Sequence, residues 1–455
     1  MKNVRSSVFY ATLLILILLC LLIPQTQACR PALMAGGLLA FAIINWILET
    51  VPIAVSSLTI IAMVPFTGLR SFSGAINGSF GNSIFGFFLG VLLLSSAFRE
   101  TNLGKLIAQF LFHIFGSRPR FIVLGVMVCG AFLAMWITEV AAAAVVFPIA
   151  LGILEKAKGR KDSAAFSRAL MLGLAWGCAF GGVATPIATG ANLIAINYLE
   201  NMCGITITFG TWMAIGMPIC ATLLLAGWLL LTLPLKDGTP ISLDSEKLAF
   251  GMREKRLAVV FAAAVLLWIG GEKIGLSSHH VALLAACVLF LPGIEVIDWK
   301  RAIHSISWDS VMLIACGVLL GDLLHTTGIA ERLAGVLFIP KLMEGGLFTR
   351  GVVIVLMVSV LKILFSSNTV SGIVLVPIMI SLANANGLSA WGVVAPCIFT
   401  SALSLIVISS SPVNVIPYAS KAFTPGDMAK YGVIMTLITA VIIGFYMMAL
   451  SLIHI

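Results

Sequence analysis

Charge is scarce in this chain. Of its 455 residues only 10% are Asp, Glu, Lys or Arg, where a soluble domain carries roughly 25%. Catalytic patterns are missing as well. There is no HExxH, no GxSxG and no pair of aspartates on facing helices, so no nucleophile meets a base and an enzyme is not expected. The nine cysteines form no CxxC pair and have no histidine partners, which argues against a metal cluster or a disulfide framework and leaves them as packing residues. The net charge of +9 comes from basic residues in short loops between apolar runs. Nothing there resembles a basic stripe for nucleic acid, and the excess reads as the positive-inside bias of a membrane protein.

What remains is hydrophobic: 60% of the residues are apolar or aromatic, and the mean hydropathy is +1.12. Apolar runs of about twenty residues recur from end to end, the length that crosses a bilayer as a helix. The fold class expected is therefore an all-α polytopic membrane protein. Eleven transmembrane helices are predicted, at 8–24, 33–48, 53–68, 82–97, 167–184, 211–233, 257–271, 279–293, 308–323, 389–408 and 430–451. The first is read as uncleaved, rather than as a signal peptide ending at Ala28, because apolar spans follow directly. The break between the second and third rests on Pro52, which disfavours helix in the residue before it, and Glu49 reads as a cap near that break. Segments 103–115 and 329–340 read as amphipathic helices at the membrane interface.

Two apolar stretches are too short for a pair of spans. Between Arg120 and Glu155 there is about 51 Å of helix at ~1.5 Å per residue, while two crossings need about 60 Å. Both flanks, GSRPR and EKAKGRK, are basic, so both ends belong on the cytoplasmic side. A re-entrant hairpin over about 118–157 satisfies both conditions, with its tip near Thr138-Glu139. A second hairpin, over about 350–384, enters from the outside and has its midpoint at Ser366-Ser367-Asn368-Thr369. With the N-terminus cytoplasmic, the great majority of Lys and Arg fall in inside segments.

The two hairpins belong to an internal repeat. TNLGKLIA (101–108) resembles TGIAERLA (327–334), and Pro148 and Pro377 each follow their hairpin tip by ten residues. Each hairpin leads to an interrupted helix ending in asparagine, GGVATPIATGAN (181–192) and ISSSPVN (408–414). The predicted organisation is a first repeat within 1–234, a cytoplasmic linker at 235–256 and an inverted second repeat in 257–455, with scaffold and transport domains interleaved across both. Broken elements at corresponding places of inverted repeats mark the substrate and ion site of a transporter. Half-helix N-termini there suit an anion, and freed carbonyls and hydroxyls suit a small cation. An ionisable residue at that depth, here Glu139, is a functional candidate by default. So is Lys362, five residues before Ser367.

At these residues the chain resembles the divalent anion/sodium symporters, which carry di- and tricarboxylates or sulfate. Ser367-Asn368-Thr369 matches the family's Ser-Asn-Thr motif intact, and the first copy aligns on Thr138-Glu139-Val140. Thr189-Gly190-Ala191-Asn192 and Ser411-Pro412-Val413-Asn414 match its later motifs loosely, and NWILETVPIAVSSL (45–58) its N-terminal signature. The resemblance implies a cation-coupled carrier of small carboxylates, succinate-like or citrate-like, in the cytoplasmic membrane of a bacterium. It also implies a homodimer and elevator-type alternating access. Substrate contacts would come from Thr138, Ser367, Asn368, Thr369, Asn192, Ser411, Pro412 and Asn414. Sodium ligands would come from Thr138, Glu139, Thr185, Asn368 and Ser410. Glu139 and Val140 depart from the motif, replacing an amide by an acid and a hydroxyl by a methyl, at the first sodium site. Lys362 is an added charge, able to serve as a fixed countercharge where the family uses bound sodium or to pair with Glu139. Three alternatives to sodium symport stay open: sodium-independent anion exchange using Lys362, proton coupling through Glu139, and Na+/H+ antiport.

Overall fold

A computed structural model describes residues 2–24, 26–157, 162–235, 240–241, 249–337 and 345–452. Among these it contains 21 α-helices and no strand. In order they are α1 (Lys2–Leu22), α2 (Arg30–Leu48), α3 (Ile53–Thr67), α4 (Phe72–Ser79), α5 (Ser83–Glu100), α6 (Leu103–Phe115), α7 (Pro119–Ala134), α8 (Glu139–Lys156), α9 (Ser163–Ala184) and α10 (Gly190–Cys203). Next come α11 (Phe209–Thr232), α12 (Met252–Gly270), α13 (Ser278–Val288), α14 (Trp299–Ser305), α15 (Trp308–Thr326) and α16 (Ile329–Leu337). The series ends with α17 (Leu347–Lys362), α18 (Asn368–Ala385), α19 (Ala390–Ser401), α20 (Pro412–Tyr418) and α21 (Pro425–Leu452). The end of the predicted interfacial helix at 338–340, and half of the linker at 235–256, lie outside the described residues.

Eight helices are long and apolar enough to cross a membrane. Seven correspond to predicted spans, and the eighth is α18, a limb of the second hairpin. Three predicted spans are shorter than expected. α3 is bounded by Pro52, in extended backbone, and by Gly68 at φ +77°. α13 stops ahead of Pro292 and Gly293, and α19 stops at Ser401, ahead of an irregular stretch. A fourth, α12, opens on the charged run Arg253 to Arg256. The eight-residue α4, whose composition is mostly small and polar, was not anticipated; Ser71 caps it by accepting from the amide of Gly74 at 3.1 Å.

The chain divides into two compact units. The first comprises Met1–Phe88, Gly190–Ile207 and Ser307–Ser401. In it α15 packs on α3 and α10, and the hairpin limbs α17 and α18 pack on α19. α18 also lies against α10, α15 and α16. The α2–α3 break is fixed locally. Glu49 ends α2 in the left-handed region at φ +45°, Thr50 donates its hydroxyl to Asn45 Oδ1, and Asn45 Nδ2 donates to Phe41 O at 2.8 Å. The exposed Glu49 side chain is thus at a backbone turn, as the cap reading expects.

The second unit comprises Leu89–Thr189, Thr208–Ile306 and Ala402–Ile455. Here the hairpin limbs α7 and α8 pack on α9, which also meets α11, and the short α20 lies on α8 and α9. The α7–α9 contact is backbone to backbone. A Cβ at Gly177 would strike the carbonyl of Met127, and one at Gly181 the carbonyl of Ala131. Small residues spaced by four allow such closeness between membrane helices, where packing replaces the hydrophobic effect as the driving force.

Candidate functional site

Both predicted helix–turn–helix segments are present, each in a different unit; α7 and α8 pack on each other, whereas α17 and α18 each pack on α19. In the second unit, α7 ends at Ala134 and the chain turns through Met135, Trp136 and Ile137, with amides bonded back to Ala131 and Leu133 carbonyls at 2.9–3.0 Å. Thr138 then caps α8, its hydroxyl accepting from Ala141 N at 3.4 Å, ahead of the run Ala141–Ala144 that favours helix. Glu139, the first residue of α8, is 7% exposed. Its carboxylate lies over Gly182 of α9, where an added Cβ would sit 3.5 Å from Oε2 and 3.2 Å from the methyl of Thr189. Gly182 thus leaves room for the acid beside the α9 break, a role that sequence reasoning missed.

The break itself is joined to the hairpin tip. α9 ends at Ala184, Thr185 is extended, and a 3-10 turn follows over Pro186–Ala188. The buried Thr185 hydroxyl donates to Met135 O at 2.5 Å. From the other half of the chain come the 3-10 turn Ile408–Ser410 and α20. Ser411 caps α20 by accepting from Val413 N at 3.4 Å, and Ser410 donates to Val407 O at 2.6 Å. Asn414 is fully buried; its amide donates to Ser404 O at 2.8 Å and Val407 O at 3.3 Å, while Oδ1 has no hydrogen-bond partner among the described residues. A buried carbonyl oxygen left without a donor is costly, and a cation is one group that would satisfy it. The second unit therefore gathers Thr138, Glu139, Thr185, Ser410, Ser411, Pro412 and Asn414 from elements packed on one another.

The first unit has the corresponding arrangement with different chemistry. α17 ends at Lys362, the turn runs from Ile363 to Ser367, and α18 starts at Asn368. Lys362 is 2% exposed, and its ammonium donates to Asn368 Oδ1 and to Ser401 O at the end of α19. Beside it, the start of α10 meets the start of α18. A Cβ at Gly190 would lie 2.8 Å from Thr369 Oγ1, and one at Gly372 would lie 3.0 Å from Ala191 Cβ. Two helix N-termini converge there, and their unpaired N–H groups and dipoles favour an anion. Asn192 is buried two residues into α10, whereas Ser367 and Thr369 are half-buried. The first unit therefore gathers Lys362, Ser367, Asn368, Thr369 and Asn192. Sequence reasoning missed Ser401, because the group involved is a main-chain carbonyl that no side-chain motif marks.

Comparison with known proteins agrees with this architecture. The model of the sodium:sulfate symporter transmembrane region matches residues 5–453. An uncharacterised transporter of Haemophilus influenzae is 28% identical, over 90% of this chain and 89% of its own length. A sodium-dependent dicarboxylate transporter of Staphylococcus saprophyticus is 26% identical, over 88% of this chain and 82% of its own. The crystal structure of the YdaH transporter of Alcanivorax borkumensis, at 14% identity, superposes with a TM-score of 0.56 over 82% of this chain and 86% of that one, a likeness of fold. With two helix–turn–helix segments, two broken helices and a family match that spans nearly its whole length, the chain belongs to the sodium:sulfate symporter family of membrane transporters.

Proposed function

We propose that the protein is a secondary active transporter that carries small di- or tricarboxylates across the bacterial cytoplasmic membrane, driven by sodium. The observation that carries this reading is the convergence, in the first unit, of the N-termini of α10 and α18 around Thr369 and Asn192. Two sets of backbone donors at one place suit a carboxylate better than a cation. Ser367, Asn368 and Thr369 would add hydroxyl and amide contacts, and Thr138, Ser411, Pro412 and Asn414 those of the second unit. The relatives named as sodium-dependent dicarboxylate transporters support the substrate class and the coupling ion.

Coupling follows from Glu139. A carboxylate at the start of α8 repels an incoming dianion until a cation neutralises it, so ion binding precedes and promotes anion binding. Sodium would be held by Glu139 with oxygen atoms of Thr138, Thr185 and Ser410, and the unsatisfied Asn414 Oδ1 supports a cation nearby. Alternating access would be of the elevator type, in a homodimer with cytoplasmic N-termini. A second reading, proton coupling at the same carboxylate, is favoured by the burial of Glu139 against Gly182.

Reconstitution in proteoliposomes tests both. Sodium-gradient-driven succinate uptake is expected, and Glu139→Gln is expected to lose the sodium dependence while anion binding persists in a thermal-shift assay. Counterflow unchanged by removal of sodium, with no pH gradient, would sink sodium symport. Uptake that follows a pH gradient, and loses this response in Glu139→Gln, would establish proton coupling.

A further inference from the structure

The second hairpin contains a cation that cannot leave. Lys362 closes α17 with a four-carbon stem long enough to carry its head toward a polar surface. Instead it is 2% exposed, and its ammonium donates to Asn368 Oδ1 and Ser401 O. These two acceptors are carbonyl oxygens, which accept and never donate. Ser401 is the last residue of α19, so its carbonyl is one of the four that an ending helix leaves without a partner. The dipole at that end is negative. The side chains beside it are turned elsewhere, Ser401 Oγ to Cys397 O at 2.9 Å and Thr400 Oγ1 to Pro396 O at 2.7 Å. An amide oxygen at a hairpin tip and a carbonyl at a half-helix C-terminus are the ligands that discontinuous helices offer to coupling ions. Here an ammonium has them.

The contrast with the first hairpin sharpens this. Aligned on Thr138 with Ser367, and Pro148 with Pro377, position 362 corresponds to Leu133, and Asn368 corresponds to Glu139. Leu133 is buried and apolar. At these two positions the second hairpin therefore carries an ammonium and a neutral amide, and the first an apolar side chain and a carboxylate. An acidic hairpin attracts a mobile cation, while a hairpin whose oxygens already hold an ammonium does not.

We infer that Lys362 is a tethered cation occupying the place a sodium ion would take in the first unit, so that only the hairpin bearing Glu139 binds a mobile coupling ion. The inference rests on the sodium-coupled carboxylate reading above, and it specifies the ion count.

Sodium linkage in the purified protein tests it, with succinate as probe and choline replacing sodium at constant ionic strength. In the native chain the slope of log succinate affinity against log sodium concentration is expected to be near one. A slope of two or more overturns the inference and leaves sodium coupling intact. A slope of zero removes sodium coupling, and with it the reading on which the inference rests, so it overturns both. Lys362→Ala exposes Asn368 Oδ1 and Ser401 O to a space that an ion can enter. It is expected to gain several degrees of sodium-specific thermal stabilisation beyond that of the native protein, with the slope rising toward two. An Ala variant whose response to sodium equals that of the native protein overturns the inference. Lys362→Met fills the space without charge and is expected to lose succinate affinity at least tenfold, with no rescue by sodium; native affinity in that variant also overturns it. If neither variant folds, the native slope decides.

Discussion

At the position of Glu139, a single atom group decides what the neighbouring backbone can be. Gly182 faces its carboxylate; an added Cβ would meet the carboxylate at an ordinary 3.5 Å and crowd the Thr189 methyl at 3.2 Å. The same logic applies with a different partner at Gly190. A methyl group there would press on Thr369 Oγ1 at 2.8 Å and on Ile314 Cδ1 at 2.9 Å, driving the start of α10 away from the start of α18. Overpacking of this kind costs about 1–3 kcal/mol. Gly190→Ala is thus expected to weaken succinate binding by about tenfold or more, while sodium-dependent stabilisation at the other hairpin persists. Isothermal titration of the variant checks it, and unchanged affinity would show that the approach of the two helix ends does not shape the anion site.

Among the elements, α7 and α9 pack backbone to backbone, through Gly177 and Gly181 against main-chain carbonyls. Backbone yields less readily than side chains, so Gly177→Ala is expected to destabilise by about 1–3 kcal/mol or more, seen as a fall in Tm and a loss of transport. Gly152, inside α8, has nothing within 4 Å of an added Cβ. There Ala is expected to be neutral or to stabilise by up to ~1 kcal/mol, since only the helix preference of the residue changes. A Tm for Gly177→Ala equal to that of Gly152→Ala would refute the packing argument.

The elements were largely legible in the sequence because their signals are local. Apolar run length, the proline ten residues past each tip and the polar Ser-Asn-Thr triplet all sit within one segment. The amphipathic helix at 103–115 forms over those same residues, as α6. Contacts at long sequence separation were not legible. The sequence places Lys362 near Ser367, but nothing in it signals Ser401, 39 positions away, as an acceptor. Nor does it show that Glu139 faces Gly182, because a glycine in an apolar helix carries no mark of what it makes room for.

For the whole molecule, the informative fact is where the chain passes between its two units. It does so five times, and two of these passages, from Thr189 to Gly190 and from Ser401 to Ala402, fall at the broken segments that carry the site residues. Each unit draws its helices from both halves of the sequence. A half-chain therefore lacks parts of both units. Residues 1–241 expressed alone are expected to fail to bind succinate. Co-expression with 249–455 is expected to restore both co-purification and uptake, because the division falls in the polar linker. Binding by either half alone would contradict this account of the fold.

The buried Lys362 also bears on energetics at the scale of the membrane. An ammonium fixed to the chain returns on every cycle and adds nothing to the net charge delivered. If Lys362 takes the place of one sodium ion as inferred, a dianion accompanied by one mobile sodium ion would move one negative charge inward per turnover. A potential of about 100 mV, inside negative, opposes that charge by about 2.3 kcal/mol. In proteoliposomes loaded with potassium, valinomycin is expected to slow succinate entry when the diffusion potential is inside negative and to speed it when the gradient is reversed; acceleration by an inside-negative potential would rule out this stoichiometry. Such a carrier works with the voltage of a living cell when it lets dicarboxylate out, and against that voltage when it gathers dicarboxylate in.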